Sequence, residues 1–129
     1  MRASDRPVER SSSGATTWFT VPGDPRNNYL ARMEWSPAGR DVIIQHLNRK
    51  QNTLTLYAGD ARTGQVTPVH EERDSAWVDV VDDFRWLDRG SAYTWLSESD
   101  GWRHLYVRPR QGGAARLVTT GDWDVANIV

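Results

Sequence analysis

Two stretches of this chain, 51 positions apart, carry the same landmarks in the same order. Trp35-Ser36-Pro37-Ala38-Gly39 answers Trp86-Leu87-Asp88-Arg89-Gly90, Leu54 and Leu56 answer Leu105 and Val107, and Thr63-Gly64 answers Gly112-Gly113 at a spacing of 49. Repeats of roughly 40–50 residues, each one supersecondary unit, mark propellers and related arrays. An ordinary β-sandwich, whose hairpins also recur, is the alternative.

The second copy is the easier to read. A Trp-bearing segment ends at Leu87 and Asp88-Arg89-Gly90 turns the chain. A strand over 91–97 sets Tyr93 and Trp95 on one face and Ala92, Thr94 and Leu96 on the other. Apolar groups on both faces predict a strand buried on both. Ser99-Asp100-Gly101 is expected to form a two-residue hairpin turn, since Asp-Gly tolerates the positive φ that such turns need. A third strand over 104–108 ends at Pro109, which cannot donate to a ladder. Arg110-Gln111-Gly112-Gly113 turns the chain into a fourth strand over 115–120. Four antiparallel strands of this length make one propeller blade.

The chain in order then divides as follows. Residues 1–15, polar and Ser-rich, read as a disordered tail. Residues 16–28 hold a β-rich hexamer broken by Pro22-Gly23-Asp24-Pro25, expected as the outer strand of a preceding blade. Residues 29–72 form a first complete blade and 73–121 a second. Residues 122–129, with Trp123 in the place of Trp77, are expected to begin a following blade. The fold class is therefore all-β: two four-stranded antiparallel propeller blades plus flanking single strands of neighbouring blades. No helix of any length is expected, and both ends read as cut.

Composition removes several functions. With 16 basic and 17 acidic residues the net charge is −1, so no field favours nucleic acid or an anionic membrane. The absence of Cys excludes disulfides, thiolate metal sites and Cys nucleophiles. No apolar run approaches the roughly 18 residues of a membrane span, and no signal-peptide core is visible at the N-terminus. The compartment stays open.

Several motifs resemble the N-terminal propeller of the dipeptidyl peptidase IV group, within the prolyl oligopeptidase family of serine peptidases. They are Y-L-A-R-M-E-W-S-P-A-G at 29–39, Q-H-L-N-R-K-Q-N at 45–52, D-A-R-T-G at 60–64, W-V-D-V-V-D-D-F at 77–84, S-E-S-D-G-W-R-H-L-Y at 97–106 and T-T-G-D-W-D-V at 119–125. The resemblance covers 16–129. It implies an eight-bladed parent propeller, about a quarter of it present here, set over an α/β-hydrolase domain that releases N-terminal dipeptides. Implied partners are that hydrolase domain, the remaining blades and the peptide substrate. A parent of this kind would be periplasmic, secreted or cytoplasmic. The paired Glu residues that grip the substrate amino terminus in the family lie on a segment preceding this one, and Glu71-Glu72 does not match their surroundings.

The nucleophile elbow G-x-S-x-G is absent, so the chain by itself is expected to be non-catalytic. The resemblance places the loop before the second blade near the peptide pocket, which makes Asp79, Val81, Asp82, Asp83 and Phe84 the substrate-facing candidates. Against that, the acidic run 71–83 reads first as turn caps or a solvated rim. Its D-x-x-D-D spacing lacks the pattern of a dedicated Ca²⁺ loop, and no metal or other cofactor is expected. His46, His70 and His104 have no spacing that gathers them on a metal, and His104 reads as a hydrogen-bonded structural residue. Trp35, Trp77, Trp86, Trp95 and Trp123 are expected to pack, and Trp102 to be exposed. Outer sheet faces left open by two blades predict self-association of the fragment. The competing reading is a free-standing Trp-rich β-domain that binds glycans or peptides.

Overall fold

The computed structural model describes residues 5–9, 16–24 and 26–129. Among these residues ten strands form three sheets, all antiparallel. β1 (Asp5–Glu9) pairs with β2 (Thr16–Thr20). β3 (Asn28–Trp35), β4 (Asp41–Asn48), β5 (Thr53–Asp60) and β6 (Val66–Arg73) form one four-stranded sheet in chain order. β7 (Trp86–Leu87), β8 (Ala92–Ser97), β9 (His104–Pro109) and β10 (Arg116–Leu117) form the other. Sequential strands that are also spatial neighbours give each sheet the order of a propeller blade. The chain separates into two compact units, residues 1–80 and 81–129, with one four-stranded sheet in each.

In the first unit the central strand β4 is buried without a break from Val42 to Leu47. That run departs from the alternation of a one-sided sheet because both faces are covered. On one face Val42, Ile44 and Tyr57 pack with Phe19 and Val21, which come from β2 and the residue after it. β2 is not hydrogen-bonded into the four-stranded sheet; it lies across its face. The space for it comes from Gly59, where an added Cβ would sit 2.8 Å from the Phe19 ring and 3.0 Å from Val42.

Turn chemistry closes each strand pair of this sheet. At 36–39 the Gly39 N–H donates to the Ser36 carbonyl (2.9 Å), with Gly39 at φ 68°. Between β4 and β5 the Asn48 side-chain oxygen accepts from the amides of Asn52 and Thr53, and its amide donates to Asn52 Oδ1 at 2.7 Å. Between β5 and β6 the Asp60 carboxylate accepts from the Arg62 amide at 2.8 Å. Such side-chain bonds to nearby backbone are why Asn and Asp favour turns.

The second unit is built around β8, buried from Tyr93 to Ser97. Phe84 stacks on Tyr93 (centroids 5.0 Å, planes 19° apart), and Trp86 meets both rings edge-on at 5.2 and 5.9 Å. Burial pushes the Tyr93 hydroxyl up to about 12, with Arg108 pulling the other way. Asp88-Arg89-Gly90 forms a short 3-10 turn in which all three residues take positive φ. For Asp88 and Arg89 that conformation costs roughly 1–2 kcal/mol each.

Four expectations are corrected. Residues 5–9, inside the stretch read as a disordered tail, form β1, so β2 has a partner and is not a single flanking strand; the rest of 1–15 lies outside the described residues. Residues 122–129 form no strand; Asp124 and Val125 bond to the Arg103 backbone instead of to a ladder. The Asp-Gly turn is not a two-residue hairpin. Ser97 pairs with His104, leaving a six-residue connection in which Gly101 has positive φ and Asp100 does not. The fourth strand shrinks from 115–120 to Arg116–Leu117, since beyond it the Leu105 amide donates to the Thr119 hydroxyl at 3.0 Å, a side chain standing in for the ladder.

Candidate functional site

The five candidate residues lie in a stretch without strand structure, 74–85. It leaves the first sheet through a capped turn: the Asp74 carboxylate accepts from the amides of Ala76 (2.7 Å) and Trp77 (3.2 Å). Those N–H groups hold the Asp74 carboxyl below its ordinary range. The Val78 amide then donates to the Gln51 carbonyl at 2.8 Å, tying the loop to the β4–β5 turn. Part of the acidic run is thus a turn cap.

The candidates divide between the units. Asp79 belongs to the first; its exposed carboxylate accepts from the Trp77 indole N–H. Val81, Asp82, Asp83 and Phe84 belong to the second. Val81 is 4% exposed and Phe84 7%, Phe84 being spent on the Tyr93–Trp86 cluster. Asp82 is exposed and Asp83 half-buried. Of the four, Asp82 and Asp83 alone keep solvent-accessible carboxylates, while Val81 and Phe84 are turned inward.

The three histidines are far apart in role. His104 Nδ1 lies 2.7 Å from Asp100 Oδ2 and Nε2 3.0 Å from the Gly121 carbonyl, with the Trp123 ring edge-on at 6.0 Å. His70 Nε2 meets Glu72 Oε1 at 3.1 Å on β6. His46 is buried against Tyr57, its Nε2 lacks a hydrogen-bond partner, and burial lowers its pKa. Among the described residues no group of three or more His, Asp or Glu could hold a metal ion, and no helix is long and apolar enough to cross a membrane.

The Trp side chains correct a further expectation. Trp95 is fully buried and Trp86 half-buried, as packing requires, and Trp102 is exposed as expected. Trp35, Trp77 and Trp123 are not buried: they are 43%, 58% and 49% exposed. Trp35 ends an edge strand, and Trp77 and Trp123 lie in irregular segments where no strand pairing covers them. Sequence reading identified His104 as structural but missed both of its partners. The i,i+4 spacing of Asp100 and His104 was a signal for the first; the Gly121 carbonyl left none.

Dipeptidyl peptidase 4 of Arthroderma otae is 27% identical over 126 residues, covering 92% of this chain. Dipeptidyl peptidase 4 of Trichophyton rubrum is 26% identical over 125 residues with the same coverage. The chain spans 16% of the length of each relative. A crystal structure of a Bacteroides ovatus protein assigned as a dipeptidyl aminopeptidase IV superposes with a TM-score of 0.82 over 96% of this chain and 20% of its own, at 22% identity, and shares the fold. The family profile described as the dipeptidyl peptidase IV N-terminal region matches residues 5–129, and the chain belongs to that family.

Proposed function

We propose that this chain is a non-catalytic part of the propeller of a dipeptidyl peptidase IV-like serine exopeptidase, acting as scaffold and substrate gate. The observation that carries the reading is the family match over residues 5–129 of a chain that spans only 16% of its relatives. The reaction it serves is release of N-terminal dipeptides by acyl transfer from a Ser–His–Asp triad on a hydrolase domain. Within the gate, Asp82 and Asp83 face the substrate and Val81 and Phe84 fix the loop. Asp79 acts through its bond to Trp77.

Two assays test this. The chain by itself is expected to release no product from an X-Pro amide, and turnover blocked by a serine-directed phosphonate would show it to be catalytic. In the full-length protein, Asp82→Asn with Asp83→Asn is expected to change KM for a dipeptidyl substrate several-fold while kcat holds. An unchanged KM would remove these residues from the gate.

A second reading draws on the exposed Trp77, Trp102 and Trp123, which could stack on glycans or peptides. Shielding of Trp fluorescence from acrylamide by an oligosaccharide would favour it.

A further inference from the structure

His104 is buried, yet both of its ring nitrogens face acceptors: the Asp100 carboxylate at 2.7 Å and the Gly121 carbonyl at 3.0 Å. A neutral imidazole has one N–H donor, and only the imidazolium has two. The two contacts can both be hydrogen bonds only when His104 carries two protons. A carbonyl cannot donate, and Asp100 is held ionised by bonds from His104, the Trp102 amide and the Tyr106 hydroxyl.

The Gly121 contact is one of a series that holds the last described segment to the start of β9. The Arg103 amide donates to Asp124 Oδ1 at 2.7 Å, and the Val125 amide donates to the Arg103 carbonyl at 2.7 Å. Residues 119–125 make no strand of their own, so these bonds define their course. The groups around His104 are few. Asp100 comes from the β8–β9 connection, and Tyr106 lies on β9. Gly121 and Trp123 come from the segment, whose Asp122 and Asp124 supply its charges, with Asp124 directed to the Arg103 amide. On β8 the residue opposite is the uncharged Ser97.

We propose that His104 is a proton-operated latch: as an imidazolium it pins residues 119–125 to the start of β9, and on losing a proton it releases them. The neutral ring can keep only one of its two contacts, and the other becomes two lone pairs face to face. The direction follows from linkage. A histidine that charges more easily in the latched state has a raised midpoint there. The latch is then fully engaged below the ordinary histidine range and is lost as pH rises through the latched-state midpoint. The Asp100 carboxylate raises the His104 pKa in this sense.

The test is amide hydrogen exchange by NMR on the full chain, alongside ¹⁵N shifts of the His104 ring, from about pH 5 to 10, a range that brackets the usual histidine midpoint. Protection of the Val125 amide, corrected for intrinsic exchange, is expected to fall across the His104 titration. The expected fall is about tenfold for each unit by which the latched midpoint exceeds the free one. Arg110, whose amide bonds Ser91 at 2.9 Å at the far end of the sheet, should not respond. His104→Gln should leave Val125 poorly protected at every pH. Asp100→Asn keeps the histidine and should move the step to lower pH, which serves if the Gln variant does not fold. Val125 protection that is flat through the His104 titration, or a step that survives unmoved in either variant, would overturn the latch.

Discussion

Gly64 shows how much one residue can fix. It takes φ 76°, and an added Cβ would run into the Trp18 carbonyl of β2. Gly39 has a similar φ of 68° but open space around it. Both should lose roughly 1–2 kcal/mol on substitution by Ala from backbone conformation alone. Gly64→Ala must in addition push β2 off the sheet. Urea unfolding of the two variants is expected to rank Gly64→Ala clearly the less stable. Equal losses would mean that β2 does not rest on this turn. Both glycines were legible as turn residues, but the collision with Trp18 was not, since it joins positions 46 apart in sequence.

At the scale of elements, the informative case is β2. Its alternation, with Phe19 and Val21 buried and Trp18 and Thr20 exposed, is the mark of a strand with one face on a core. The partner face is the Val42–Ile44–Tyr57 side of the first sheet, reached through the gap at Gly59. Phe19→Ala removes a fully buried ring and should cost about 3–5 kcal/mol, with Phe19→Leu costing less. Thermal unfolding with a midpoint unchanged in Phe19→Ala would show that β2 adds nothing to the unit. β4 and β8 were readable because their apolar residues occupy both faces. β10 and residues 122–129 were not, because side-chain and turn bonds replace ladder bonds there. The candidate loop was readable as acidic and non-repetitive, but which of its residues turn inward was not.

At the scale of the molecule, each four-stranded sheet ends in edge strands, β3 and β6 in one and β7 and β10 in the other. Trp35, Trp77 and Trp123 are exposed. Open strand edges and exposed aromatic surface favour association. Light scattering over a dilution series is expected to give a molar mass that rises with concentration. A constant monomer mass at all concentrations would count against the fragment reading and favour a free-standing domain.

By itself the sequence determined the all-β class, the 51-residue recurrence of the meander and where the chain turns between strands. These follow from local alternation and from residues that favour positive φ or cap their own backbone. Tertiary structure alone decided that β1 pairs with β2, that Phe19 seats over Gly59, that Val81 and Phe84 face inward while Asp82 does not, and that His104 meets Gly121. Each of these joins groups whose proximity depends on how strands and loops pack, and neither period nor propensity encodes that.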